Sequence, residues 1–284
     1  MMNPISIICI CGAGTMGSGI AQAAAASGIY TILYELNEEV LKNAEIRIEI
    51  SLQKLVDKNK ISSEARKATL NNLRFTNNLH DCLGDVIIEA IIEKPQAKIA
   101  LFNQLAEINH SETIFASNTS SLSLTSIAEK VKNPERVVGM HFFNPATIMK
   151  LVEVVNTKFT NQQSTDTIVG LAKRMNKTPV ICKDSPGFIV NRVARPFYIE
   201  SLRLTEEGIA DFETIDKLME SSGFKMGPFK LMDLIGNDVN YAVSCSVYDQ
   251  LGQPERLKPS DIQKEKVESG KLGKKSGEGY YSYQ

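Results

Sequence analysis

Short apolar runs alternate with longer amphipathic stretches over the first two thirds of the chain. Residues 5–10 (ISIICI) form an apolar run too brief for a helix, and Gly12 closes it. Residues 16–27 are rich in Ala and Gly and stop at Gly28, which suits a helix C-terminus. A second strand is predicted over 31–36. Residues 38–58, charged with spaced Leu, Ile and Val, read as an amphipathic helix. Further strands are predicted at 85–92 (DVIIEAII), 113–117 (TIFAS), 136–143 (RVVGMHFF), 151–156 (LVEVVN) and 178–182 (TPVIC), with a helix over 164–176. Strands alternating with helices predict an α/β fold with a mostly parallel sheet covered on both faces.

The pattern changes at residues 184–187 (DSPG). Beyond them no strand is predicted. Residues 188–208 have helical spacing, with Pro196 expected to kink them, and 214–222, 228–235 and 239–251 read as further helices. The chain is therefore expected to divide into an α/β domain, 1–184, and a smaller all-helical domain, 185–284. The tail GKLGKKSGEGYYSYQ carries aromatics that predict it docks on something.

Composition narrows the class. A chain of 284 residues, 43% hydrophobic and 23% charged, has enough apolar material for full cores. A net charge of −1 gives no basic surface for nucleic acid or anionic membrane. No apolar run approaches the roughly 18–20 residues of a membrane span. The start lacks the basic and long apolar regions of a secretory signal, so a cytoplasmic location is expected. Cys9, Cys11, Cys82, Cys182 and Cys245 include no C-x-x-C pair. They are read as reduced, mostly buried small hydrophobes, and no metal site is predicted.

The residues GAGTMG, from Gly12 through Gly14, Thr15 and Met16 to Gly17, fit G-x-G-x-x-G between a strand and a helix. Gly12 permits the tight turn, Gly14 lets a pyrophosphate approach, and Gly17 allows close helix–strand packing. The helix N-terminus adds free N–H groups and partial positive charge. Glu35, 23 positions after Gly12, ends the next strand and can accept hydrogen bonds from ribose hydroxyls. It would repel a 2′-phosphate, and no Arg follows closely, so NAD is favoured over NADP.

Of three histidines, His80 and His110 sit in polar surroundings. His141 stands near the C-terminal end of a predicted strand, where open α/β sheets bind ligands. Glu153 lies among apolar neighbours, and a buried carboxylate there needs a partner. Pairing with His141 would fix the imidazole and suit it to general-base work. The alternative is that Glu153 lies on the polar face of an edge strand. The SNTSS segment, with Ser120, could bond a substrate oxygen or cap the helix that follows. Ser120, His141 and Glu153 also admit nucleophilic hydrolase chemistry, but no G-x-S-x-G elbow accompanies them.

The blocks GAGTMGSGIAQ, ASNTSSLSLTSIA, GMHFFNPATIMKLVEVV, DSPGFIVNRV and MGPFKLMDLIGND, in this order, resemble the (S)-3-hydroxyacyl-CoA dehydrogenase family. The likeness is greatest to its stand-alone bacterial 3-hydroxybutyryl-CoA members. It spans the chain, including GKKSGEGYY near the end. It implies an N-terminal NAD-binding domain, 1–184, with a Rossmann-type doubly wound sheet, a helical C-terminal domain, 185–284, through which a homodimer forms, and an acyl-CoA substrate. By matching motif, His141 is the implied base and Glu153 its partner, while Ser120 and Asn191 hold the C3 oxygen. The implied cofactor set adds Glu93, Lys98, Ser120, Asn144 and Lys275 to the glycine loop and Glu35. Ser51 and Lys58, two turns apart on one helix face, match the family's CoA contacts. This sequence departs from the pattern at Asn237, usually apolar, at Thr147-Ile148, usually Pro-Val, and at Glu35, more often Asp. A related hydroxyacid or sugar-acid dehydrogenase that does not use CoA is the alternative, and an NAD-binding protein without turnover a third.

Overall fold

The β-branched runs and amphipathic stretches of the first unit become β1 (Ile7–Cys11), α1 (Thr15–Ala26), β2 (Tyr30–Tyr34), α2 (Glu38–Asp57), α3 (Ser63–Asn71) and β3 (Leu73–Thr76). They continue as β4 (Val86–Glu89), α4 (Pro95–Ile108), β5 (Ile114–Ser117), α5 (Leu124–Ala128), β6 (Val137–Phe142), β7 (Leu151–Asn156), α6 (Gln162–Arg174) and β8 (Thr178–Lys183). This computed structural model describes residues 5–283. It divides into one unit ending at Asp184 and another beginning at Ser185. Among the described residues no helix is long and apolar enough to cross a membrane.

The strands form one sheet in the order β3-β2-β1-β4-β5-β6-β7-β8. Every neighbouring pair is parallel except β6–β7. Side chains alternate between the two faces, so each strand feeds two cores. Ile8, Ile10, Ile88, Ala116 and Met140 pack with α1, α2 and α6 on one face. Cys9, Cys11, Ile87, Phe115 and Val137 pack with α4 and α5 on the other. Burial on both faces explains the near-continuous apolar runs. Order reverses between β1 and β4, which places the Gly12 loop at the switch point where such sheets bind ligands.

Local chemistry sets the boundaries. The Asn37 side chain caps α2, accepting from the amides of Glu39 and Val40. β4 stops at Glu89, three residues before the predicted end, because the Glu89 carboxylate accepts the amide of Ile91 and turns the chain. Helices α3 and α4 and strand β3 were not predicted, whereas α5 is the helix expected after the SNTSS segment.

The second unit comprises α7 (Val190–Glu206), α8 (Phe212–Ser221), α9 (Pro228–Ile235), α10 (Asn237–Gln250) and α11 (Asp261–Glu268), the last not predicted. Helix α7 runs through Pro196 without interruption. Two fully buried carboxylates organise this unit. Asp216 accepts from the amides of Phe229 and Lys230 and from the Tyr281 hydroxyl. Asp233 accepts from the amides of Tyr280 and Tyr281 and the Tyr283 hydroxyl. The aromatic tail thus docks on α8 and α9. Asn237, the polar departure, joins this network: its Nδ2 donates to Asp233 at 2.9 Å and to the Lys271 carbonyl at 3.3 Å.

Candidate active site

The dinucleotide loop shows a different requirement at each glycine. Gly12 has φ +104°, and a Cβ there would lie 2.6 Å from the Ala90 carbonyl oxygen. A Cβ on Gly17 would run into the Gly12 carbonyl. At Gly14 nothing lies within 4 Å of the Cβ position, so the space is left for a ligand rather than for packing. No side chain caps α1, whose first amides are available to a phosphate. The Glu35 carboxylate accepts from the amides of Ala13 at 3.0 Å and Asn37 at 3.2 Å, leaving lone pairs for ribose hydroxyls. These features fit a dinucleotide. Gly14→Ala should therefore leave the melting temperature unchanged while raising KM for NAD about tenfold, a loss of roughly 1.4 kcal/mol. Equal KM in the two proteins, measured by initial rates, would remove Gly14 from the site. Arg47, which the sequence reading passed over, donates to the Ala13 carbonyl at 2.9 Å and braces the loop from α2.

Register then builds a polar row. Cys11 pairs with Glu89, Glu89 with Ser117, and Ser117 with Gly139, so these four share one face of the sheet. The Glu89 carboxylate is fully buried and takes Lys98 Nζ at 2.5 Å and Ser117 Oγ at 2.6 Å. Lys98, 1% exposed, also pairs with Glu93 at 3.0 Å. Glu93 in turn accepts from the Thr119 hydroxyl, the Ser121 hydroxyl at 3.2 Å and the Ser120 amide at 3.3 Å. Burial alone pushes both acids toward the protonated form. For Glu89 it prevails over Lys98 and Ser117, and its pKa is raised. For Glu93 the charge of Lys98 and the hydroxyl bonds prevail, and its pKa is lowered. Lys98 and Glu93 thus hold the loop that carries Ser120. The serine that caps α5 is Ser123, which accepts the amide of Ser126, so Ser120 is not used as that cap.

His141 lies two residues beyond Gly139, on the same face of β6. It stands directly opposite Glu153 in the antiparallel β6–β7 ladder. Such pairs bring Cβ atoms within about 4.5–5.5 Å on one face. His141 Nδ1 and Glu153 Oε2 are 2.7 Å apart, with the residues 5% and 1% exposed. Glu153 is not on an edge: β8 covers its far side. A carboxylate on Nδ1 orients the ring, leaves Nε2 to exchange a proton, and stabilises the imidazolium. Gly139 permits this arrangement, since a Cβ there would meet Leu124 at 2.5 Å and Val155 at 2.7 Å. The loop after His141, with exposed Asn144 and Thr147, is held by buried Lys177, which donates to the carbonyls of Ala146 and Met149. Burial lowers the Lys177 pKa. Neither Lys177 nor Glu89 was singled out by sequence.

Ser51 is half-buried on α2, and Lys58 follows its last turn, exposed. Asn191 and Lys275 belong to the second unit. Asn191 lies in the first turn of α7 and Lys275 pairs with Asp238, Nζ to Oδ1, at 2.5 Å. His80 and His110 are exposed. All five cysteines are free and Cys9, Cys11 and Cys82 are buried, as expected, but the fold brings these three together, their sulfurs all within 4.8 Å of one another. Strand alternation aligns the first two, and the fold brings in the third across 71 positions.

Residues 7–185 match the family described as 3-hydroxyacyl-CoA dehydrogenase, NAD binding domain, and residues 187–283 match its C-terminal domain. The chain belongs to the 3-hydroxyacyl-CoA dehydrogenase family. NAD is the cofactor of this family's N-terminal domain. This family member is 46% identical to the 3-hydroxyadipyl-CoA dehydrogenase of Escherichia coli K12 over 285 residues, which is 100% of this chain and 60% of that protein. It is 39% identical to a probable 3-hydroxybutyryl-CoA dehydrogenase of Bacillus subtilis, covering 99% and 98% of the two chains. A crystal structure of (S)-3-hydroxybutyryl-CoA dehydrogenase from Ralstonia eutropha matches with a TM-score of 0.94 at 34% identity, covering 99% of this chain and 100% of that one.

Proposed function

We propose that this chain catalyses the reversible NAD-dependent oxidation of short-chain (S)-3-hydroxyacyl-CoA, chiefly 3-hydroxybutyryl-CoA, to 3-oxoacyl-CoA. The observation that carries the reading is the buried His141–Glu153 pair at 2.7 Å, on the same sheet as an open dinucleotide loop. NAD supplies the hydride acceptor. His141 Nε2 takes the proton of the C3 hydroxyl during oxidation and returns it during reduction. Glu153 keeps Nδ1 engaged and balances the charge that appears on the ring. Ser120 and Asn191 donate to the C3 oxygen, Ser51 and Lys58 hold the CoA moiety, and Lys98, Glu93, Asn144 and Lys275 complete the cofactor site. In this reading residues 1–184 bind NAD, while 185–284 contribute to the substrate site and join two copies.

A second reading, 3-hydroxyadipyl-CoA, is favoured by the name of the Escherichia coli relative. The two substrates differ by a distal carboxylate, so one assay separates them. NADH oxidation with acetoacetyl-CoA should show a kcat/KM at least about tenfold above that with 3-oxoadipyl-CoA, a difference of roughly 1.4 kcal/mol. The reverse order would favour the dicarboxylic substrate. Activity confined to free 3-hydroxy acids would overturn both.

A further inference from the structure

Cys9, Cys11 and Cys82 take no part in the proposed reaction, yet the fold gathers them. Alternate positions on β1 put Cys9 and Cys11 on one face, their sulfurs 4.0 Å apart. Cys82 ends the short turn before β4, and no sulfur in the trio is more than 4.8 Å from another. All three are 0% exposed within the apolar layer under α4 and α5.

The spacing has a chemical meaning. An ion bonded to three coplanar sulfurs at about 2.3 Å holds them about 4.0 Å apart. The Cys9–Cys11 separation already has that value, and Cys82 needs to close by less than 1 Å. The cluster contains no imidazole or carboxylate to serve as a fourth ligand. Tetrahedral zinc would need a water as fourth ligand, which the fully buried apolar layer disfavours, whereas a three-thiolate set in such a setting suits copper(I). We propose that Cys9, Cys11 and Cys82 form a three-coordinate site for one soft, thiophilic metal ion of the copper(I) class, seated behind the dinucleotide loop.

Thiols bind such ions as thiolates. Hydrogen bonds from Cys11 and Cys9 favour Cys82 as the anionic member and lower its pKa to about 5. The same bonds and burial raise that of Cys11. As the ion enters, the two remaining protons leave to solvent, no electron is transferred, and the net charge of the site goes from −1 to −2. Arg74, in an ion pair with Asp81 at 2.9 Å, supplies nearby positive charge. Asp81 and the Tyr34 phenol are the other ionisable groups facing the trio. Entry is through the turn over Cys82, where Asn78, His80 and Leu83 are exposed. Cys11 immediately precedes Gly12, whose amide bonds the Tyr34 carbonyl at 2.8 Å, so drawing the sulfurs together displaces the start of the loop.

The test is anaerobic titration of the reduced, metal-free protein with copper(I) held by a chromogenic chelator, read by chelator bleaching and native mass spectrometry. One ion per chain should transfer. Cys82→Ser and Cys9→Ala should each weaken transfer at least about tenfold while keeping dehydrogenase turnover, and Cys182→Ser should bind like the wild type. The loaded protein should show a changed KM for NAD. Absence of transfer, or equal transfer to all variants, overturns the site. So does loss of two titratable thiols without bound metal, which identifies a disulfide instead.

Discussion

Replacing His141 by Gln is expected to lower kcat by about 100-fold or more in both directions, with KM for NAD nearly unchanged. A positioned acid–base group contributes on the order of 10²–10⁴ in rate. Glutamine keeps a polar side chain opposite Glu153 but cannot carry the proton. Glu153→Gln should produce a smaller loss, because the base remains and only its orientation and charge balance suffer. Steady-state rates with acetoacetyl-CoA and NADH measure both. Near-normal turnover in His141→Gln would falsify the assignment of the base.

The second large effect concerns stability. Lys98→Met should destabilise the protein by about 3–5 kcal/mol at pH 8, the usual cost of stripping one partner from a buried ion pair. Glu89 is fully buried beside it, and among the described residues its one other side-chain donor is the Ser117 hydroxyl. The pH dependence follows from the direction of the Glu89 shift. Its pKa is already raised by burial, and Lys98 is the largest influence holding it down. Without Lys98 it rises further. A carboxylate whose folded pKa exceeds its unfolded value, about 4.3, contributes stability below that unfolded value and loses it as pH rises through the folded one. The deficit should therefore be small near pH 5 and widen toward pH 8. Urea unfolding at the two pH values reads this out. A deficit under about 1 kcal/mol at pH 8, or one independent of pH, would show that Glu89 finds another partner.

What the sequence revealed and concealed divides along physical lines. Runs such as 151–156 were legible because burial on both faces demands apolar residues throughout, and their ends matched the strand. The four residues of β3 were not, since LRFT mixes exposed and buried positions over less than two full alternations. Helix α4 had a signal, Pro95 in its first turn, which the overlong reading of the preceding strand obscured. In the site, Glu153 stood out because a carboxylate between valines is anomalous locally. Glu89 carried the same signal, a carboxylate in the apolar run DVIIEAII that the sequence reading left unused, whereas Lys98 was named only through the resemblance, because its partners lie on other elements. The cysteine trio was missed for the same reason, and its gathering required the sheet order to be known.

The antiparallel pairing of β6 and β7 has a consequence for how this scaffold can change. His141 and Glu153 are aligned by the backbone ladder on either side of them, not by the eight residues that connect the strands. The connecting segment can therefore lengthen, shorten or alter composition while the proton-transfer pair keeps its geometry. A one-residue slip of β7 against β6 would instead turn Glu153 to the opposite face and bring Val152 or Val154 beneath the imidazole. Variation in substrate preference is thus available at the connection at little risk to chemistry, whereas deletions within the strands themselves are not tolerated.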